Sequence, residues 1–144
     1  MEAAPRPLWF ALHATHPREL RPAFDGAVQR LLAAGIPLLD QTVLLAGVNA
    51  DAAVLAELFL GLYERKVKPY YLHHPDRIAG TARFRVSIDE GLAIYRALRD
   101  RVPGPALPAY VLDLPDGSGK VPVESLVRAG ERRWRAGTAI YREP

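Results

Sequence analysis

Apolar residues along this chain follow two rhythms, continuous short runs and stripes at helical spacing, and the two rhythms take turns. Leu8-Trp-Phe-Ala-Leu12 is a run of large apolar residues and predicts a buried strand over 8–15. Pro17 then opens a predicted helix over 18–34, in which Leu20, Phe24, Val28, Leu31 and Leu32 share one face and Gly35 supplies the stop. Ile36–Leu45 is the second strand. Asp51 is a candidate cap for a helix over 52–66 striped by Val54, Leu55, Leu58, Phe59 and Leu62. Lys68–His73 is a third, aromatic strand, and Pro75–Gly80 a loop. Ser87-Ile-Asp-Glu90 matches a capping box for a helix running to about Arg101 with Leu92, Tyr95 and Leu98 inward. Tyr110–Leu114 is the fourth strand. Beyond Val123 the pattern blurs into a small hairpin or tail in which Arg128, Arg132, Arg133 and Arg135 crowd around Trp134.

Strand and helix alternating through four strands is the signature of an α/β protein with a parallel sheet. In such sheets ligands bind beyond the carboxyl ends of the strands. Polar residues collect at those ends: His13, Thr15 and His16 after the first strand, Gln41 and Asn49 around the second, His73, His74 and Asp76 after the third, and Asp113, Asp116 and Lys120 after the fourth. Four parallel strands are too few to close a barrel of about eight. The expected sheet is therefore open, or part of something larger.

Composition narrows the chemistry. The chain has 144 residues, enough for one domain with its own core. It is 49% apolar and 24% charged, with a net charge of +3 and no long basic run, so nothing points to nucleic acid. No apolar run is long enough to span a membrane, and a cytoplasmic location is expected. There are no cysteines, which removes disulfides, thiolate metal sites and iron–sulfur ligation by this chain.

Of 19 basic side chains only three are lysine: Lys66, Lys68 and Lys120. Lysine, unlike arginine, sheds its proton and forms imines. Lys120 follows a strand end and a Pro115-Asp-Gly-Ser-Gly119 turn, with Asp113 and Asp116 nearby, which suits condensation with an aldehyde cofactor. The same residues also suit an exposed lysine on a hairpin turn. A phosphate-binding loop is excluded, because Leu114 and Val121 stand where that motif needs glycine and a hydroxyl residue. His13 and His16 face opposite sides of an extended segment and have no third partner, so no metal is expected. By the same alternation at most one of His73 and His74 looks into a site.

As a set these segments resemble a known family. His13-x-x-His16-Pro17, Ala34-Gly-Ile-Pro37, Gln41-Thr-Val-Leu-Leu-x-Gly-Val-Asn49, Lys68-Pro-Tyr-Tyr71, Asp76, Arg83-Phe-Arg85 and Asp113-x-Pro-x-Gly-x-Gly-Lys120-x-Pro-Val123 are similar, in order over roughly residues 8–123, to the C-terminal half of the lysine 2,3-aminomutases. Those are isomerases that use S-adenosylmethionine (SAM), a [4Fe–4S] cluster and pyridoxal phosphate (PLP) to move the 2-amino group of L-lysine to carbon 3.

The resemblance implies the second half of a partial TIM-like (radical SAM) barrel over 8–123. An N-terminal extension over 1–7 precedes it, and a divergent tail over 124–144 follows. It implies that Lys120 holds PLP as an imine, that Asp76 and Asp113 grip the side-chain ammonium of the substrate, and that His13 and Gln41 contact SAM. The paired acids favour L-lysine, or a related amino acid, over an acidic one. The departures are as informative. The family's Cys-x-x-x-Cys-x-x-Cys cluster motif is absent, Asp116 and Ser118 stand where the family has glycine, and His-Ala-Thr-His spans 13–16. The expectation is an isomerase portion inactive alone, partnered by a separate cluster-bearing N-terminal half and prone to form a homo-oligomer through its uncovered edge. The alternative is an inactive PLP- or amine-binding module, or a scaffold.

Overall fold

The computed structural model describes residues 6–143, so most of the extension expected at 1–7 lies outside the described residues. The chain runs β1 (Phe10–Leu12), α1 (Pro22–Ala33), β2 (Leu38–Val43), α2 (Ala52–Glu64), β3 (Val67–His73), α3 (Ile88–Arg99) and β4 (Ala109–Asp113), followed by β5 (Lys120–Pro122). These strands form one sheet in the order β1-β2-β3-β4-β5, the first four parallel and β5 antiparallel to β4. The sheet is therefore mixed, not purely parallel. The turn after β4 folds back as a hairpin instead of feeding another helix.

Local chemistry sets the boundaries. Asp51 caps α2 by accepting from the amides of Ala53 and Val54, and Ser87 caps α3 by accepting from Glu90 N at 3.2 Å. The helix expected over 18–34 is interrupted: Pro17–Glu19 is a single 3-10 turn, and Pro22 restarts the chain as α1. A proline inside a helix removes a donor and clashes with the preceding turn, whereas the first helical position tolerates it.

One face of the sheet is packed. Leu38 in β2, Val67 and Leu72 in β3, and Tyr110 and Leu112 in β4 join Leu55, Leu58, Phe59 and Leu62 of α2 and Ile88, Leu92 and Leu98 of α3 in a continuous core. Each such side chain, fully buried, contributes about 1.5–3 kcal/mol. Strand order that follows chain order, with crossovers of one hand, places all the helices on the same face. The alternate residues Leu39, Gln41, Val43, Tyr71 and His73 are only half-buried on the other face. Val111, on that face, is buried yet stands outside the continuous core.

Two expectations are corrected. The first strand is an edge strand, not a buried one: Trp9 is 60% and Phe10 43% exposed, because among the described residues β1 pairs with β2 alone. The segment after Val123 is an ordered antiparallel sheet of β6 (Val127–Gly130), β7 (Arg133–Ala136) and β8 (Ala139–Arg142). Its Trp134 and Tyr141 enter the main core. Glu143 ties it to α3, accepting from Ile88 N at 2.6 Å and from the indole N–H of Trp134 at 2.9 Å.

Candidate active site

The Pro115–Gly119 turn delivers Lys120. Gly117 and Gly119 have φ of 76° and 116°, left-handed conformations open to glycine. Asp116 accepts from the amide and the hydroxyl of Ser118, so this acid braces the turn and does not reach toward Lys120. The reversal pairs Lys120 with Asp113 in the β4–β5 register. Lys120 Nζ donates to Asp113 Oδ1 at 2.7 Å, with side chains 40% and 34% exposed, so the amine is paired but open to solvent.

A polar row continues across the open face from there. Asp113 Oδ2 lies 3.2 Å from Nδ1 of His73 in β3. Nε2 of the same ring lies 3.0 Å from Oε1 of Gln41 in β2. Lys120, Asp113, His73 and Gln41 thus link four neighbouring strands. A register shift between Asp40 and Gln41, opposite Pro69 and Tyr71, lets Gln41 share a face with His73. Burial holds the His73 imidazole below its ordinary pKa, and the Asp113 carboxylate pulls the other way.

Asp76, in the loop after β3, lines with Asp113 a hollow of about 250 Å³ whose walls include Leu112, Leu114, Pro115 and Tyr141. The two expected acids therefore border one hollow, while both oxygens of Asp113 are engaged with Lys120 and His73. His13 lies just past β1, exposed, and among the described residues its ring makes no hydrogen bond; the structure does not bring it into the row. His16 caps the 3-10 turn, accepting from Arg18 N. Asn49 is locked into backbone bonds with Leu45, Thr15 and Val43. These rim residues hold the scaffold.

His74 points the other way from His73. It is 3% exposed, shares a 2.8 Å hydrogen bond with the Tyr110 hydroxyl, and burial pushes its pKa down to about 4. Asp40 is also buried behind the sheet. It accepts from Ala14 N at 2.8 Å and meets the Thr42 hydroxyl at 2.7 Å, and burial raises its pKa to about 6. A protonated Asp40 donates to Thr42, leaving that hydroxyl's one proton for the Ala14 carbonyl 2.8 Å away.

What sequence reasoning missed is the central place of His73, because the link between Gln41 and Asp113 depends on the register of three strands. The signal available was parity: His73 and Asp113 both end strands that run parallel.

No family model matches the chain. Individual relatives do. A protein of Aquifex aeolicus provisionally named an L-lysine 2,3-aminomutase is 50% identical over 117 residues, 81% of this chain and 32% of its own length. The L-lysine 2,3-aminomutase of Fusobacterium nucleatum is 39% identical over 145 aligned positions, 96% of this chain and 34% of its own. The glutamate 2,3-aminomutase of Clostridioides difficile is 38% identical over 81% of this chain and 28% of its own. The chain spans about a third of the length of the curated relatives it matches. With identities of this size over most of its residues, the chain belongs to the lysine 2,3-aminomutase family and corresponds to the C-terminal part of its members.

Proposed function

We propose that this chain supplies the cofactor-condensing lysine and the cation-gripping acids of a 2,3-aminomutase acting on L-lysine. The observation that carries the reading is Lys120 Nζ at 2.7 Å from Asp113, with Asp113 and Asp76 lining one hollow. Bound PLP would supply an aldehyde that takes up an amine covalently and delocalises electron density from it. Lys120 fits that partner, being a reachable primary amine on the open face. To attack a carbonyl it must first lose a proton, and Asp113 Oδ1 is the atom its ammonium already touches. That proton would leave with the water released as the amine bonds to carbon, so Asp113, still held by His73, would again be an ionised acceptor able to meet, with Asp76, the substrate ammonium. Two carboxylates around one hollow favour a cationic side chain and reject a carboxylate, which separates L-lysine from L-glutamate.

By the family resemblance Gln41 and, at the rim of the sheet, His13 would be the residues of this chain that meet the ribose of SAM. The donor set does not fit an iron–sulfur cluster: such clusters are held by thiolates, and the chain has no cysteine. A radical reaction requires that group from residues outside this chain. The open sheet supports the same reading. Parallel strands in chain order, helices on one face and a polar row on the other resemble part of a barrel wall whose interior carries the site. The unpaired edge of β1, with Trp9 and Phe10 exposed, is where further strands would join. The missing thiolates equally favour the second reading, a module that binds PLP or amines without isomerising them.

The test is a PLP titration of the chain read by visible absorbance, for the wild type and Lys120→Ala, followed by L-lysine or L-glutamate. The reading expects a band that Lys120→Ala abolishes and that L-lysine perturbs at far lower concentration than L-glutamate. Loss of that preference in Asp76→Asn and Asp113→Asn places it on the acids. A band unchanged in Lys120→Ala contradicts the reading.

A further inference from the structure

We infer that His73 is a positioning residue that carries its proton on Nδ1 and, through that tautomer, fixes both Asp113 and the carboxamide of Gln41. The assignment follows from the partners on its two nitrogens. Asp113, once ionised, only accepts, so the 3.2 Å contact at Nδ1 requires an N–H there. A neutral imidazole has one N–H, which leaves Nε2 as a bare lone pair. The group 3.0 Å from Nε2 must then donate. In the Gln41 carboxamide only the amino group can do so; Oε1 stands opposite Nε2, and a half-turn about the last side-chain bond brings the amino group there at the same distance. The amino group therefore faces His73, and the carbonyl is left without a partner among the described residues, as an acceptor for whatever lies over the open face. The ring is 14% exposed, with the Tyr71 ring edge-on at 5.5 Å, which disfavours the doubly protonated form.

The consequence deepens the proposed function and rests on it. The row is directional: Gln41 donates to His73, His73 donates to Asp113, and Asp113 accepts from Lys120. When Lys120 is taken up by an aldehyde, Asp113 loses one of its two partners. His73 still holds the other oxygen, so the carboxylate stays in place and charged for an incoming ammonium. Gln41 meanwhile presents a carbonyl, which selects a ligand donor such as a hydroxyl over an acceptor.

The test uses the full chain without any cofactor. A long-range proton–nitrogen NMR spectrum at neutral pH reports the tautomer of each of the four histidines, with His73 assigned by the signal lost in His73→Phe. The expected result is a protonated Nδ1 and a bare Nε2. A ring protonated at Nε2 alone, or on both nitrogens, overturns the inference. Gln41→Glu gives an independent arm. It places acceptors on both sides of the ring, so His73 should become doubly protonated, with its titration midpoint raised by about one pH unit or more. An unchanged midpoint overturns it. Neither arm needs PLP. Failure of Lys120 to take up PLP would count against the proposed function alone, and a wrong tautomer against this inference alone.

Discussion

A methyl group on Gly91 would sit 2.0 Å from the hydroxyl oxygen of Tyr110. Helix α3 thus approaches β4 as closely as it does because position 91 has no side chain. The approach seats the Tyr110 hydroxyl where it shares its hydrogen bond with His74.

Gly91→Ala should therefore destabilise the fold by about 1–3 kcal/mol, the cost of forcing extra volume into a packed core. On an exposed helix the same change gains up to about 1 kcal/mol from propensity. Urea unfolding decides between the two, and a stabilised variant would contradict the packing.

Asp40 and His74 make stability respond to pH in opposite senses. The folded pKa of Asp40 is raised to about 6, so the folded state binds more protons than the unfolded between about pH 4 and 6, and stability falls as pH rises through that window. The folded pKa of His74 is lowered to about 4, so the unfolded state binds more protons between about pH 4 and 6.5, and stability rises with pH there. Each effect amounts to about 3 kcal/mol, and in the wild type they largely cancel. Asp40→Asn should expose the His74 slope, becoming more stable relative to wild type as pH rises from 4 to 7. Urea midpoints across that range check the sign.

Glu143→Ala should cost about 2–3 kcal/mol, because it strips a charged acceptor from Ile88 N and from the Trp134 indole and leaves both donors unpaired. Glu143→Gln keeps one acceptor oxygen and should cost less. Trp134 fluorescence during unfolding reports whether the three-stranded sheet releases from α3 before the rest.

The exposed edge of β1 predicts concentration-dependent self-association. Phe10→Lys puts a charge on that edge and should shift sedimentation toward the monomer. Equal sedimentation of the two proteins would rule out pairing through β1.

Much of this fold is legible in the sequence, and the gaps have physical causes. Strands β1 and β2 and helices α1 to α3 lie within segments that the periodicity marks, and β3 and β4 begin one residue ahead of theirs, since one-sided burial leaves its period in the chain. The exposure of Trp9 and Phe10 is not legible: burial at a sheet edge depends on what lies beside it. Nor is β5, three residues long, too short to show alternation. The Arg133-Trp-Arg135 alternation did encode β7 but is masked by its neighbours' charge. For the site, the pairing of Lys120 with Asp113 is readable because the turn that joins them is local. His73 is not, because its partners, Gln41 and Asp113, lie 32 and 40 residues away.

The proposed function requires that, of the three lysines, Lys120 beside Asp113 is the one that condenses with an aldehyde. Lys68 offers a control: its Nζ is engaged with the Pro105 carbonyl at 2.6 Å, and among the described residues it forms no ion pair with a carboxylate. The direct measurement is to expose the chain to limiting PLP, fix any covalent link with borohydride and locate it by peptide mass mapping. The label is expected on Lys120, and excess L-lysine added before the borohydride should prevent it. Label shared evenly among Lys66, Lys68 and Lys120, or found on the first two alone, would contradict it.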